Sequence, residues 1–184
     1  MRTFIAVEMN PDIIQSVQHV IRDLDEGNRS VRWVKAGGIH LTLKFLGDIT
    51  ADQATRVAAA LEAIGPDVPS FPLRIAGTGA FPPGNQPRVL WVGIDRSEEL
   101  LALVSAVEIA MARLGFPSEK RPFRPHISIG RVKDPTLLGS IPARIEAHGD
   151  REFGQMTVRS FLFFESRLNP AGAEYSVLKE IRLP

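Results

Sequence analysis

The sequence contains no cysteine. That excludes a disulfide framework and any thiolate metal site, and it fits a reducing compartment. It has no apolar run near the ~20 residues that cross a bilayer, and its first residues, MRTFIAVEMNPD, lack the apolar core of a secretory leader. We therefore expect a cytoplasmic protein without a membrane partner. Excess charge of one sign is also missing: 22 Lys and Arg stand against 21 Asp and Glu, a formal net charge of +1. No global field points to nucleic acid. There is no HExxH, no His-x-His, no tight carboxylate cluster and no GxxxxGK[ST] loop, so the sequence offers neither a metal site nor a nucleotide-activation loop. Asn28 opens an Asn-Arg-Ser sequon, which without a leader is a chance match.

What is present suits a globular protein. Apolar residues make up 44% of 184 residues and charged residues 23%. Three helices are punctuated. One has Asn10 as N-cap and Pro11 at its first position, with Ile14, Val17, Ile21 and Leu24 on one face and Gly27 after it. A second opens on the capping-box pattern Thr50–Gln53 and carries Ala54, Val57, Leu61 and Ile64. A third is capped by Ser97, carries Leu100, Leu103, Val104, Val107, Met111 and Leu114, and stops at Gly115. Strands are expected at 3–9, 31–34, 39–46, 71–80, 88–94, 123–132, 156–167 and 175–182. PPGNQP (82–87) and NPAG (169–172) read as turns.

The chain then repeats a pattern. At an offset of 86, Arg2 falls on Arg88, the helix face Ile14, Val17, Ile21 falls on Leu100, Leu103, Val107, and HLTL from His40 falls on HISI from His126. We read this as a gapless repeat. It implies an α+β, bilobal fold over residues 1–184: two pseudo-symmetric lobes of mainly antiparallel sheet with outer helices, and the two histidine strands facing a central cleft.

Alternation along a strand puts His40 and Thr42 on one face, and His126 and Ser128 likewise. Each unit thus offers an imidazole beside a hydroxyl. Imidazole moves protons near neutral pH, so one histidine can serve as base while the other, protonated, serves as acid. The hydroxyls can hold phosphoryl oxygens during in-line displacement. Residues 27–47 contain no acid but hold Arg29, Arg32, Lys35 and Lys44; residues 120–133 contain none but hold Lys120, Arg121, Arg124, Arg131 and Lys133. Two cationic windows in a nearly neutral chain suit an anionic substrate. Arg131 faces away from His126 if the strand alternates strictly, and a bulge would return it as a phosphate clamp. Trp33, Phe45, Phe81 and Phe123 are candidate platforms for a base, and Phe45 too needs a local bulge to share the histidine's face. His19 and His148 read as solvated.

The paired His-x-Thr/Ser motifs, with GGIHLTLKFLGDI, FRPHISIGRV and FFESRLNPAGAEYSVL around and after them, resemble the 2H phosphoesterase superfamily. Within it the chain looks like the RNA 2′,3′-cyclic phosphodiesterases, the LigT-like family historically called 2′-5′ RNA ligases. The resemblance covers essentially the whole chain. It implies a bilobal LigT-like fold; we expect a monomer with no cofactor. It also implies hydrolysis of the 2′,3′-cyclic phosphate at RNA 3′ ends, tRNA fragments among them, to a 2′-phosphate. By that resemblance His40 protonates the leaving 3′ oxygen and His126 activates water, while Thr42 and Ser128 bind phosphate. Arg131, Phe45 and Phe123 are the accessory substrate-binding candidates from the residue reading. Serine at 128 departs mildly from the commoner threonine and keeps the hydroxyl. Spacing alone does not say which histidine is the acid. Three alternatives remain: reversible 2′-5′ RNA ligation, hydrolysis of small cyclic or 2′-5′ nucleotides, and a nucleotide-binding module without turnover.

Overall fold

A computed structural model describes residues 1–27 and 29–184, so the Asn28 sequon lies outside the described residues. Among the described residues nine strands form two antiparallel sheets. The first has four strands in the order β3 (His40–Asp48), β1 (Arg2–Glu8), β8 (Ser160–Asn169), β9 (Gly172–Arg182). The second has five, in the order β2 (Val31–Trp33), β6 (His126–Val132), β5 (Val89–Ile94), β4 (Phe71–Phe81), β7 (Glu152–Val158). β3 edges the first sheet and lies against β6 of the second, so the two histidine strands are neighbours.

The helix signals hold at their N-termini. α1 (Pro11–Leu24) has the Asn10 side chain accepting from the Ile13 N–H at 2.9 Å. α2 (Ala51–Ile64) has both halves of the Thr50–Gln53 capping box, and Ser97 caps α3 (Glu98–Arg113). The buried stripe of α1 is Ile13, Val17, Val20, Ile21 and Leu24, with Ile14 on the flank. A fourth helix, α4 (Ile141–Ala147), was not anticipated; it buries only Ile141 and Ile145, too short a stripe to read as periodic.

Each half of the chain sends its helix to the other sheet. β1 belongs to the first sheet, yet α1, with α4, packs on the second, against β7 and β4. β5 belongs to the second sheet, yet α3 packs with α2 on the first, against β3. One apolar core runs through both halves and includes Ile5, Leu41, Phe161 and Phe163 from one sheet and Leu90, Val92, Ile127 and Ile129 from the other.

Three expectations need correction. The repeat is not gapless: β-pairing equates Ala6 with Trp91, an offset of 85, and the N-caps equate Asn10 with Ser97, an offset of 87, while the histidines stay at 86. The strand expected at 156–167 is two, because the chain leaves the second sheet at Val158 and joins the first at Ser160. No Gly or Pro marks that crossing, so the run reads as one. The strand expected from 123 starts at His126; Pro122 and Pro125 have no N–H to donate to a ladder.

Candidate active site

On β3, His40 pairs with Glu8, Thr42 with Ala6 and Phe45 with Phe4. The partners on β1 are spaced by two, so these three side chains share one face. They do so although Thr42 and Phe45 are three apart, because a bulge at Leu43 and Lys44 inserts one residue. β6 repeats the device. His126 pairs with Gly93, Ser128 with Trp91 and Arg131 with Val89, with a bulge at Ile129 and Gly130. Burial agrees: Ile127, Ile129, Gly130 and Val132 are buried, whereas Arg131 is exposed. The bulge therefore brings Arg131 to the face of His126 and Ser128, and Phe45 to the face of His40 and Thr42. Bulged position 45 answers 131 in the pseudo-repeat, so one half presents an aromatic ring where the other presents a guanidinium.

The two histidines sit in different surroundings. His40 stacks on Phe4, with centroids 4.9 Å apart and planes 24° from parallel, and meets the edge of Tyr175 at 5.5 Å. Phe4, Ala6, Leu162 and Phe164 form a small apolar cluster with Tyr175, separate from the main core. Burial in this aromatic niche pushes the His40 imidazole down from 6.5 to about 4. Its ring nitrogens have no hydrogen-bond partner among the described residues. His126 is oriented. Its Nδ1 lies 2.7 Å from the Arg124 carbonyl oxygen. A carbonyl only accepts, so Nδ1 carries the proton and Nε2 is the free, reactive nitrogen. Phe81 meets the His126 ring edge-on at 5.0 Å.

Charge is polarised in the same way. Arg32 and Arg131 are direct cross-strand neighbours on the His126 face, and neither has a carboxylate partner among the described residues. Like charges placed opposite one another repel, and an anion between them removes that cost. The Thr42 and Ser128 hydroxyls are half-buried and make no hydrogen bond among the described residues, so both can donate to a ligand. Lys44, by contrast, leaves the cationic window: its side chain is buried and its Nζ donates to Glu108 Oε1 at 2.8 Å and to the Pro117 carbonyl at 2.9 Å. Lys35 Nζ donates to the Ala171 carbonyl at 2.6 Å, fastening the β8–β9 turn over the turn before His40.

Among the aromatic candidates, Phe45 is 63% exposed on the histidine face. Phe123 and Trp33 pack half-buried against the main core, and Phe81 stands beside His126 and Trp91. The Trp91 ring lies flat over Gly79, where a Cβ would come within 2.2 Å of it. His19 is exposed and 3.9 Å from Asp23, and His148 ends α4 half-buried. Sequence reading passed over Glu8, Trp91, Phe164 and Tyr175. Alternation puts Glu8 beside His40 only once the strand pairing is known. Among the described residues no three His, Asp or Glu side chains are grouped to hold a metal ion, and no helix is long and apolar enough to cross a membrane.

Three kinds of comparison converge. The family model described as the 2′-5′ RNA ligase superfamily matches residues 10–169. A protein of Archaeoglobus fulgidus named RNA 2′,3′-cyclic phosphodiesterase is 31% identical over 97% of this chain and 98% of its own length. One of the same name from Thermotoga maritima is 32% identical over 98% of this chain and 94% of its own. The crystal structure of the Thermus thermophilus protein TT0787 superposes with a TM-score of 0.83 at 26% identity, covering 100% of this chain and 98% of that one. Escherichia coli LigT, crystallised with 3′-AMP, superposes with a TM-score of 0.81 over 99% and 97% at 24% identity, and shows the shared fold.

Proposed function

The chain belongs to the 2′-5′ RNA ligase superfamily, and from that premise we propose that it hydrolyses 2′,3′-cyclic phosphate ends of RNA to 2′-phosphates, with two histidines and no metal. The observation that carries the reading is the matched pair of bulged strands. Each presents His, a hydroxyl residue and a third side chain on one face, and the two strands lie side by side.

The mechanism follows from the asymmetry of the pair. His126 has its Nδ1–H committed to the Arg124 carbonyl, which leaves the Nε2 lone pair to take a proton from the attacking water. The hydroxide attacks phosphorus, the P–O3′ bond breaks, and the proton on the departing oxygen comes from His40. Arg131, Arg32, Ser128 and Thr42 hold the non-bridging oxygens as charge builds. His40 is neutral at pH 7 in the free protein, held low by burial. It becomes an acid because the phosphate anion that enters the site stabilises its imidazolium. The chain works as a single bilobal unit, since one core joins both sheets.

The test uses a short RNA ending in 2′,3′-cyclic phosphate, incubated with the purified protein and EDTA. A 2′-phosphate product is expected. A 3′-phosphate would reverse the regiochemistry, with the 2′ oxygen leaving in place of the 3′ oxygen. RNA that binds without turnover would make the protein a binding module. Activity lost to EDTA and restored by a divalent ion would end the metal-free mechanism.

A further inference from the structure

Beside His40 lies a cavity of about 340 Å³, lined by Glu8, Ala36, Gly37, His40, Phe164 and Tyr175 among others. It is large enough for a planar heterocycle, and its walls are mainly apolar. Glu8 is its only charged side chain among the described residues. Glu8 is exposed at the end of β1 and is the cross-strand neighbour of His40. The corresponding neighbour of His126 is Gly93, where a Cβ would come within 2.5 Å of the Ala76 carbonyl oxygen. The carboxylate is therefore confined to one half of the site.

A phosphate seated deep in this cavity would meet the Glu8 carboxylate and no Lys or Arg among the described residues. The unpaired arginines stand on the other half, at Arg32 and Arg131. The cavity suits the uncharged part of the substrate. In-line geometry agrees, and here the argument rests on the proposed function: water attacks from the His126 side, so the leaving 3′ oxygen and its ribose lie on the His40 side. The base attached to that ribose is then next to the cavity.

We propose that this cavity seats the 3′-terminal nucleobase and that Glu8 reads its Watson–Crick edge, favouring guanine. A carboxylate only accepts hydrogen bonds. Guanine turns two adjacent donors, N1–H and N2–H, towards it. Adenine and cytosine offer one exocyclic amine beside a ring acceptor, and uracil offers N3–H flanked by two carbonyl oxygens that the carboxylate repels. The order of preference is guanine, then adenine and cytosine, then uracil.

The experiment compares kcat/KM for four dinucleotides, adenosine followed by each of the four nucleosides as its 2′,3′-cyclic phosphate, with wild type, Glu8→Gln and Glu8→Ala. Wild type is expected to favour guanine over uracil by at least about tenfold, the scale of a bidentate base contact. Both variants should bring that ratio within about threefold. The ratio isolates base reading, because any effect of Glu8 on His40 is common to all four substrates. Equal rates in wild type, or a ratio unchanged in Glu8→Ala, would overturn the assignment while leaving the phosphodiesterase reading intact. If none of the four is hydrolysed, that reading fails instead. Binding of guanosine and uridine 2′-monophosphates to the same three proteins then decides the base pocket, with equal affinities overturning it.

Discussion

His40 should gain about three pH units of proton affinity when the cyclic phosphate binds. In the free protein burial holds it at about 4. A general acid at neutral pH needs a value near 7, a rise of about 3 units, or about 4 kcal/mol of preferential interaction with the imidazolium. A phosphate monoanion about 4 Å away supplies about 4 kcal/mol at the effective dielectric of a partly solvated site. One phosphodiester charge is therefore enough. The assay is an NMR titration of the histidine ring carbons in His126→Ala, free and saturated with a 2′,3′-cyclic nucleotide. The variant is blocked in turnover, a guanosine or uridine 2′,3′-cyclic phosphate chosen as the ligand does not titrate in this range, and only His19 and His148 remain as other histidine signals. Linkage adds a second readout: between pH 4 and 7 binding takes up one proton, and Kd rises by about tenfold per pH unit. A free value above 6 would refute the depression by burial, and a bound value still below 5 would refute the assignment of His40 as the acid.

The same depressed pKa sets a stability window. The folded value, about 4, lies below the unfolded value of 6.5, so the unfolded chain binds more protons in between. The contribution is fully present above about pH 6.5 and is lost as pH falls towards 4. Its ceiling is about 3 kcal/mol, and a half-buried ring realises less. Urea midpoints of wild type should fall more steeply over that range than those of His40→Ala. His126→Ala should lower kcat by at least about a hundredfold with the urea midpoint unchanged; near wild-type turnover would remove it from the mechanism. Glu108→Ala should cost about 3 kcal/mol in urea unfolding, because it strands a buried Lys44 ammonium. Lys44→Met should cost less, since it removes the charge that needs pairing. Gly79→Ala should displace the Trp91 ring and change its fluorescence, since the added Cβ would fall within 2.2 Å of it.

Much of the site was legible in the sequence because it rests on local rules. Period-two alternation pairs His40 with Thr42 and His126 with Ser128, and the caps at Asn10, Thr50 and Ser97 act through groups three residues away. The repeated motif revealed two like units. Tertiary structure decided what depends on strand partners. The bulges that turn Phe45 and Arg131 towards the histidines exist only as mismatches with β1 and β5. The exchange of α1 and α3 between sheets, and the crossing at Arg159, leave no mark in composition, because both sheets bury the same kinds of side chain. The difference between the two histidines is likewise tertiary. Phe4, Phe164 and Tyr175 reach His40 from three strands, and desolvation by that niche, not anything in His-Leu-Thr-Leu, sets its proton affinity.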